Sequence, residues 1–557
     1  MFRTALLFAL LLLTLSSASA QPKAETVTSK GGVVVCVSPP AAEVGLKALK
    51  DGGNAVDAAV ATAFALAVTW PEAGNIGGGG FMMIAAPGKE PTCVEYRETA
   101  PAAAKVDLFA DGKVTWLNHK AAGVPGTVRG LALAHKKYGK LEWRAVVMPA
   151  AELAEKGFTV NAVLAAGLNK VLADKLTTNA EFKRVYGKPD GEKWKAGDAL
   201  ILKDLGRTLR LIAEKGADAF YTGELAELVE KEMKAEGGLI VKADLEAYKA
   251  NERKPIHTTF RGYDVYGPPP PSSGGVALAE MLNILETFDL KKHSRWSPET
   301  SHVMIEAMKR AYADRARHLG DPDFTKIPPE LTTKEYAKKL AATIDMKKAT
   351  PSADLAPDIA LDKVSDSTTH FSVIDKDGLA VSNTYTLENS YGNRVVVRGA
   401  GYILNNEMTD FNPRPGLTTT KGQIGTKPNQ IAPGKRMLSS MTPVIVMKGG
   451  KPVLVTGSPG GRTIINTVLC VVLNVTEYGM TAEEAVSAPR LHHQWFPDAV
   501  RFEGGKAQPE LVTKLKGLGH IVTDARQGDA HTIWIDPKTG MRVGAADKRL
   551  DGKAVGE

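Results

Sequence analysis

The sequence predicts an α+β fold whose sheet is covered on both faces. Residues 123–252 are mostly helical in pattern, whereas the chain beyond 368 changes to strand-and-turn character. Its strand-like runs are broadly apolar, so neither face of the sheet suits water. Of the 557 residues 43% are apolar, enough for a large buried core. The length suits two to four domains or one large layered unit.

The first twenty residues read apart from the fold. Arg3 gives a weakly basic start, residues 5–13 are an unbroken apolar run, and Ala18-Ser19-Ala20 offers a small-residue cleavage site before Gln21. Residues 1–20 are therefore expected to be a signal peptide, too short for a convincing transmembrane span. Gln21 in place of a cysteine argues against a lipid anchor. A soluble exported protein follows, periplasmic or extracellular, with no stable membrane insertion.

Residues 32–37 then read as a short strand. Ala, Leu and Val dominate 41–68, broken at Asp51-Gly52-Gly53-Asn54, which implies two helices, the second well buried and stopped by Pro71. The loop Ile76-Gly77-Gly78-Gly79-Gly80-Phe81 runs into an apolar strand at 82–85. Four successive glycines suggest close backbone approach. No Gly-Lys-Ser/Thr follows, so a phosphate loop is a poor reading. Glu95-Tyr96-Arg97-Glu98 closes another strand. Residues 261–267 return to strand character. The prolines of 268–271 and Ser272-Ser273-Gly274-Gly275 form a stiff turn before a helix starting near Val276. A longer amphipathic helix covers 298–318. The polar segment 347–364, with its prolines and aspartates, reads as a flexible approach to the strands beyond.

Those strands begin with Phe371-Ser372-Val373-Ile374, turn through Asp375-Lys376-Asp377-Gly378 and return along 379–387. A three-residue loop with Gly378 left-handed pairs Asp375 with Leu379. The same register sets Thr368 opposite Thr386, with both side chains on one face.

Composition excludes several classes. The net charge is +8, but basic residues are interleaved with acidic ones, and aromatics make up 6%. Lys231 and Lys234 among Glu230, Glu232 and Glu236 read as a solvated helix face. Nothing suggests a nucleic-acid partner. Cys36, Cys93 and Cys470 lie in apolar settings and are expected to be buried free thiols. Neither they nor the 11 histidines carry metal-site spacing. His119, His370, His492 and His493 read as structural or surface residues, and no cofactor is expected.

The chemistry centres on Asp366-Ser367-Thr368-Thr369-His370. An internal threonine hydroxyl lacks a base, but an N-terminal threonine supplies one in its own α-amine. The reference α-amine pKa is about 8, close enough to neutrality to shuttle a proton. Cleavage between Ser367 and Thr368 would thus create the active group.

Four blocks carry a resemblance to a known family: Asp366-Ser367-Thr368-Thr369-His370, Leu404-Asn405-Asn406-Glu407-Met408-Thr409-Asp410-Phe411, Leu438-Ser439-Ser440-Met441-Thr442-Pro443 and Gly457-Ser458-Pro459-Gly460-Gly461. With Arg97 and the glycine-rich segment upstream, the chain resembles the gamma-glutamyltranspeptidase (glutathione hydrolase) family of N-terminal nucleophile hydrolases from about Gly32 to Gly544. The resemblance implies a four-layer αββα sandwich. It also implies autocatalytic cleavage of a zymogen at Ser367/Thr368, into a large subunit (21–367) and a small catalytic subunit (368–557) joined as one fold. The mature enzyme would form a γ-glutamyl ester on Thr368 from glutathione or related γ-glutamyl compounds, then pass the group to water or to an amino acid or peptide acceptor.

Residue by residue, the resemblance makes Thr386 the threonine orienting the nucleophile, and Gly460 and Gly461 the oxyanion hole. Arg97 matches the residue gripping the substrate α-carboxylate, assisted by Ser439 and Ser440. Asp410 matches the carboxylate facing the α-ammonium, with Glu388 and Glu407 at neighbouring positions where other members may carry amides. Read without the family, Thr386 is a β-branched strand residue, Ser-Pro-Gly-Gly a turn, and Arg97 a surface ion pair with Glu95 or Glu98. One departure stands out. The segment 415–433 has the length of a family lid loop, but Lys421 falls where lidded relatives place a shielding tyrosine. That leaves acceptor preference, and the balance of hydrolysis against transfer, open. Two rivals remain: a glutaryl-type β-lactam acylase of the same fold, which the acidic trio argues against, and an exported binding protein with a degenerate site.

Overall fold

The computed structural model describes residues 23–359, 362–363 and 369–557. The expected signal peptide and the Ser367/Thr368 junction lie outside the described residues, as does the Thr368–Thr386 pairing. Two seven-stranded antiparallel sheets stack face to face. Before the junction they draw on β1 (Glu25–Ser29), β2 (Val33–Cys36), β3 (Gly79–Ala85), β4 (Thr92–Glu95), β5 (Asn251–Arg253), β6 (Ile256–Phe260) and β7 (Tyr263–Gly267). After it come β8 (Thr369–Ile374), β9 (Ala380–Thr386), β10 (Val444–Lys448), β11 (Lys451–Thr456), β12 (His531–Ile535), β13 (Arg542–Ala546) and β14 (Lys553–Gly556). One sheet runs β14-β2-β8-β9-β3-β4-β5 and the other β1-β13-β12-β11-β10-β7-β6, so both interleave strands from the two sides of the junction.

Helices complete four layers, as expected. The outer face of the first sheet packs on α1 (Pro39–Lys50) and α2 (Ala55–Thr69). The second is covered by α3 (Gly274–Glu286) and α5 (Ile464–Thr476), with α4 (Pro298–His318) packed on α3. The break between α1 and α2 is a capping box: Asn54 Oδ1 accepts the Val56 and Asp57 amides, and Asp57 Oδ2 accepts the Asn54 amide at 2.8 Å. Such a cap stabilises a helix start by about 1 kcal/mol.

The central hairpin forms as the sequence indicates. Thr369 pairs with Tyr385 and Ile374 with Ala380, Asp375 N–H donates to Leu379 O, and Gly378 has φ +88°. Asp375 holds the turn by accepting the Asp377 and Leu379 amides, and its other oxygen accepts the Ala55 amide of α2. Phe371, Val373, Val381 and Tyr385 face the helices, in the same apolar cluster as α2. The opposite face holds a buried polar core instead. Ser372 Oγ donates to His531 O, Ser382 Oγ donates to Thr456 O, and His370 bonds Thr384 Oγ1 and Ser372 Oγ.

Several boundaries differ from expectation for identifiable reasons. β3 starts at Gly79 rather than Met82, because Gly79 and Gly80 already pair with Thr386 and Tyr385. A Cβ on Gly78 would run into the Thr386 carbonyl oxygen, which is the close approach the glycines allow. α3 starts at Gly274, where Ser272 Oγ accepts the amide at 2.9 Å. The described part of 347–364 is anchored rather than loose. Ala349 N–H donates to Leu518 O, Lys309 Nζ donates to Thr350 O, and Ser352 N–H donates to Asp498. Glu232 is buried against His119 rather than solvated.

Candidate active site

Arg97 lies two residues past the strand end at Glu95, which accepts the Arg97 amide at 2.9 Å and pairs with Arg253 and Arg436. It is fully buried, not a surface ion pair. Its Nη1 bonds Glu407 and lies 3.4 Å from Glu98, its Nη2 bonds Asp410, and its Nε donates to Met437 O at 3.2 Å. Burial works against the charge of the guanidinium, but Glu407, Asp410, Glu98 and Glu388 outweigh it and hold its pKa above the ordinary value.

Burial and mutual repulsion act on the protonation of these carboxylates. Burial raises the Glu407 carboxyl to about 7, with Arg97 opposing the rise and Asp410 adding to it. Burial also pushes Glu98 well above the carboxylate range, and the neighbouring Glu407 charge pushes it further. Glu98 Oε1 and Glu407 Oε2 have no hydrogen-bond partner among the described residues. The cluster therefore retains a proton near neutrality. Glu388, Glu407 and Asp410 present oxygens within 4.8 Å of one another, a spacing that fits a metal ion, but the Arg97 guanidinium already bonds Glu407 and Asp410.

The remaining expected residues gather around the same point. Arg97, Thr386, Glu388, Glu407, Asp410, Ser439, Ser440 and Gly461 all line one small cavity. Thr386 ends β9, and its Oγ1 accepts the Glu388 amide at 2.8 Å. Glu388 then adopts φ +74°, a left-handed conformation that costs a non-glycine residue about 1 kcal/mol or more. That bend puts it where the small cavity meets two larger ones on either side. Ser439 Oγ accepts the Met441 amide, while Ser440 Oγ accepts from Arg315 Nη2 at 3.0 Å.

Gly460 and Gly461 have φ +129° and +54°, both in the region that favours glycine. Gly461 faces the small cavity, while Gly460 faces a neighbouring cleft together with Thr369. The peptide between them thus stands at the boundary of the two spaces, with Thr369, the first residue of β8, on the cleft side. In the 415–433 loop, Thr418 and Thr419 are buried and bond Gly425 and Gln423, leaving Lys421 exposed. The three cysteines are buried and unpaired, as expected.

Sequence reasoning missed four supporting residues. In the sequence Glu98 shows no role beyond a possible ion pair with Arg97. Asn75 donates to Thr386 O at 2.8 Å and accepts from Thr127 and Gly78, tying the glycine loop to the end of β9. Arg315, on α4, reaches both Ser273 and Ser440 from far away in sequence. Arg462 borders the small cavity and bonds Gly422 O of the loop. Only Asn75, set in the glycine-rich run, carried a local signal.

Comparison with known proteins places the chain in a family. The family profile described as Gamma-glutamyltranspeptidase matches residues 41–557. The glutathione hydrolase proenzyme of Escherichia coli (strain K12) is 47% identical over 531 residues, covering 94% of this chain and 91% of that protein. The cephalosporin acylase structure from Bacillus halodurans superposes with a TM-score of 0.85 at 27% identity, over 98% of this chain and 99% of that one. The Helicobacter pylori gamma-glutamyltranspeptidase structure gives 0.55 at 41% identity, over 57% of this chain and 93% of that one. Among the described residues no helix is long and apolar enough to cross a membrane.

Proposed function

The chain belongs to the gamma-glutamyltranspeptidase family, and from that premise we propose the following course of reaction for its gamma-glutamyltransferase and glutathione hydrolase activity. One observation carries it: Arg97 and three carboxylates share a small cavity with Thr386 and Gly461, at the end of the hairpin where Thr369 pairs with Tyr385. A γ-glutamyl group brings an ammonium and a carboxylate, and the cavity carries both opposite charges. On binding, the substrate carboxylate exchanges for a protein carboxylate on Arg97, and the ammonium takes up the carboxylates released. Ser439 and Ser440 assist at the carboxylate end.

Thr368 first cuts its own chain. Its hydroxyl attacks the Ser367 carbonyl, the acyl group moves from nitrogen to oxygen, and water releases residues 21–367 and 368–557 as two subunits. The interleaving of strands from both sides in each sheet supports their staying together. The freed α-amine then takes the Thr368 hydroxyl proton as the oxygen attacks the γ-amide of glutathione. The Gly460 and Gly461 N–H groups receive the oxyanion, a role in which one donor is worth roughly 3 kcal/mol. Cysteinylglycine leaves with the proton, and water or an amine accepts the γ-glutamyl group from the threonyl ester. Residues 1–20 direct export to the periplasm or medium.

The test is intact mass and N-terminal sequencing of purified protein, alongside glutathione turnover. Two fragments meeting at Ser367/Thr368, absent in Thr368→Ala together with the activity, are expected. A full-length wild type that turns over glutathione would overturn the mechanism, and faster release from glutaryl than from γ-glutamyl anilide would favour an acylase.

A further inference from the structure

Resting on the transferase reading above, we propose that the cleft beside Gly460 holds the acceptor and the leaving dipeptide, with Arg526 as the residue that selects acceptors bearing a carboxylate. The cleft measures about 360 Å³, within the range of small-molecule sites. It opens from Thr369, Pro459 and Gly460, so it starts one residue from the nucleophile, and it meets the γ-glutamyl cavity at Glu388.

Its far wall is formed by the 526–529 turn and by Arg549. The two arginines there are unlike. Arg549 is buried and spends its donors on Glu503, Asp547 and two carbonyls. Arg526 is exposed, and among the described residues it commits one N–H, to the Arg549 carbonyl at 2.7 Å. The rest of its planar donor set remains for a ligand carboxylate.

Beside it stands an unspent buried acceptor. Gln527 is 5% exposed, and its Nε2 is fixed on Leu491 O at 3.0 Å, yet its Oε1 has no partner among the described residues. A dipeptide N–H or an amine would satisfy it. Asp529 Oδ2 lies 3.1 Å from His531 Nε2 without hydrogen-bond alignment, and it adds negative character to the floor. Glu72, half-buried and bonded by Ser390, stands with Glu388 among the lining groups. Among the lining groups the carboxylates Glu72, Glu388 and Asp529 thus stand with the guanidiniums of Arg526 and Arg549. A single carboxylate is welcome at Arg526, and a second, on an acidic side chain, meets repulsion.

The transfer step follows directly. The acceptor's neutral amine attacks the γ-carbonyl carbon of the threonyl ester, a C–N bond forms, and the C–Oγ bond of Thr368 breaks. The Thr368 α-amine carries the proton from the attacking nitrogen to the departing Oγ. Arg526 orients the acceptor and takes no part in the bond changes, so hydrolysis should not need it.

The experiment measures γ-glutamyl anilide turnover with water, glycylglycine and glycylglycine amide in the mature wild type, Arg526→Gln and Arg526→Lys. In Arg526→Gln the KM for glycylglycine should rise about tenfold, the loss of one charge-assisted contact. Hydrolysis and the KM for the amide should stay within about twofold, and Arg526→Lys should recover part of the loss. Normal anilide hydrolysis with an unchanged glycylglycine KM, or equal losses for peptide and amide, overturns the cleft assignment alone. A mature wild type that releases no anilide overturns the transferase reading and this proposal with it.

Discussion

Replacing Glu407 with glutamine tests whether this carboxyl is a titrating ligand for the substrate ammonium. Glu407 is fully buried and bonded to Arg97, and burial raises its pKa from 4.5 to about 7. A shift of that size disfavours the ionised form by on the order of 3 kcal/mol. An ammonium pairs with the ionised form, so below pH 7 each donor molecule that binds must first expel a proton. Affinity then falls toward tenfold per pH unit, which amounts to roughly 25-fold between pH 7.5 and 5.5. Glutamate itself, the hydrolysis product, keeps its charge state across that window and is a suitable probe. In Glu407→Gln the affinity should be flat with pH. At pH 7.5 it should be roughly tenfold or more below wild type, the loss of a charge-assisted contact worth about 1.5–3 kcal/mol. Calorimetry in two buffers of different ionisation heat reads the affinity and the released proton together. The stability sign runs the other way. The folded state binds this proton more tightly than the unfolded chain, so its stabilising contribution is present below about pH 4.5 and is lost as pH rises through about 7. The variant should therefore melt no lower than wild type at pH 7.5. A pH slope that survives in Glu407→Gln, or a flat wild type, would refute the assignment.

Gly460→Ala places a side chain at φ +129°, where its Cβ would collide with Thr463 Oγ1, so the amide proposed for the oxyanion hole must move. kcat should fall about 10²–10³-fold with glutathione KM little changed, and a kcat within threefold of wild type would contradict the oxyanion role. Asp375→Ala strips acceptors from the Ala55, Asp377 and Leu379 amides at once. It should destabilise the protein by about 2–4 kcal/mol in urea unfolding, with the donor KM of the surviving enzyme unchanged. The three cysteines are buried and burial raises the Cys36 thiol to about 12, so none should react with a thiol reagent until the protein is denatured, when all three should. Reductant should leave the melting temperature unmoved, and a drop would reveal a disulfide.

Legibility in the sequence followed the range over which each cause acts. The hairpin at 375–379 was readable because a glycine at the left-handed position and an aspartate at the turn fix its register locally. The break before α2 is set by neighbouring residues too, through the Asn54–Asp57 capping box. Glu232 and the 347–359 segment were misread for the opposite reason. Their polar composition suits water, but His119 and the α4 cations, distant in sequence, bury or anchor them. The site divided in the same way. Its residue types were visible as separate blocks, but nothing local places Arg315 on Ser440 or gathers three cavities at Glu388. Charges spaced as far apart as Arg97 and Glu407 reveal their mutual neutralisation only once folded.

That neutralisation changes how recognition works. A pocket that waited empty with a bare guanidinium and bare carboxylates, all dry, would carry a desolvation penalty of several kcal/mol per ion. Here Arg97 is already bonded to Glu407 and Asp410, and the surplus acid holds a proton, so the cost is met within the fold itself. A zwitterionic γ-glutamyl end can then enter by exchange: its carboxylate replaces a protein carboxylate on Arg97, and its ammonium replaces Arg97 on that carboxylate. The number of buried charge pairs rises by one and no buried ion is left alone. A glutaryl group supplies only the first half of the exchange. It would take Arg97 and bring no ammonium to the carboxylate it displaces, which then stands beside Glu98 and Glu388 without the ion pair that a γ-glutamyl end supplies. The discrimination therefore comes from the charge that a wrong substrate strands, which is the more selective way to tell two ligands of nearly equal size apart.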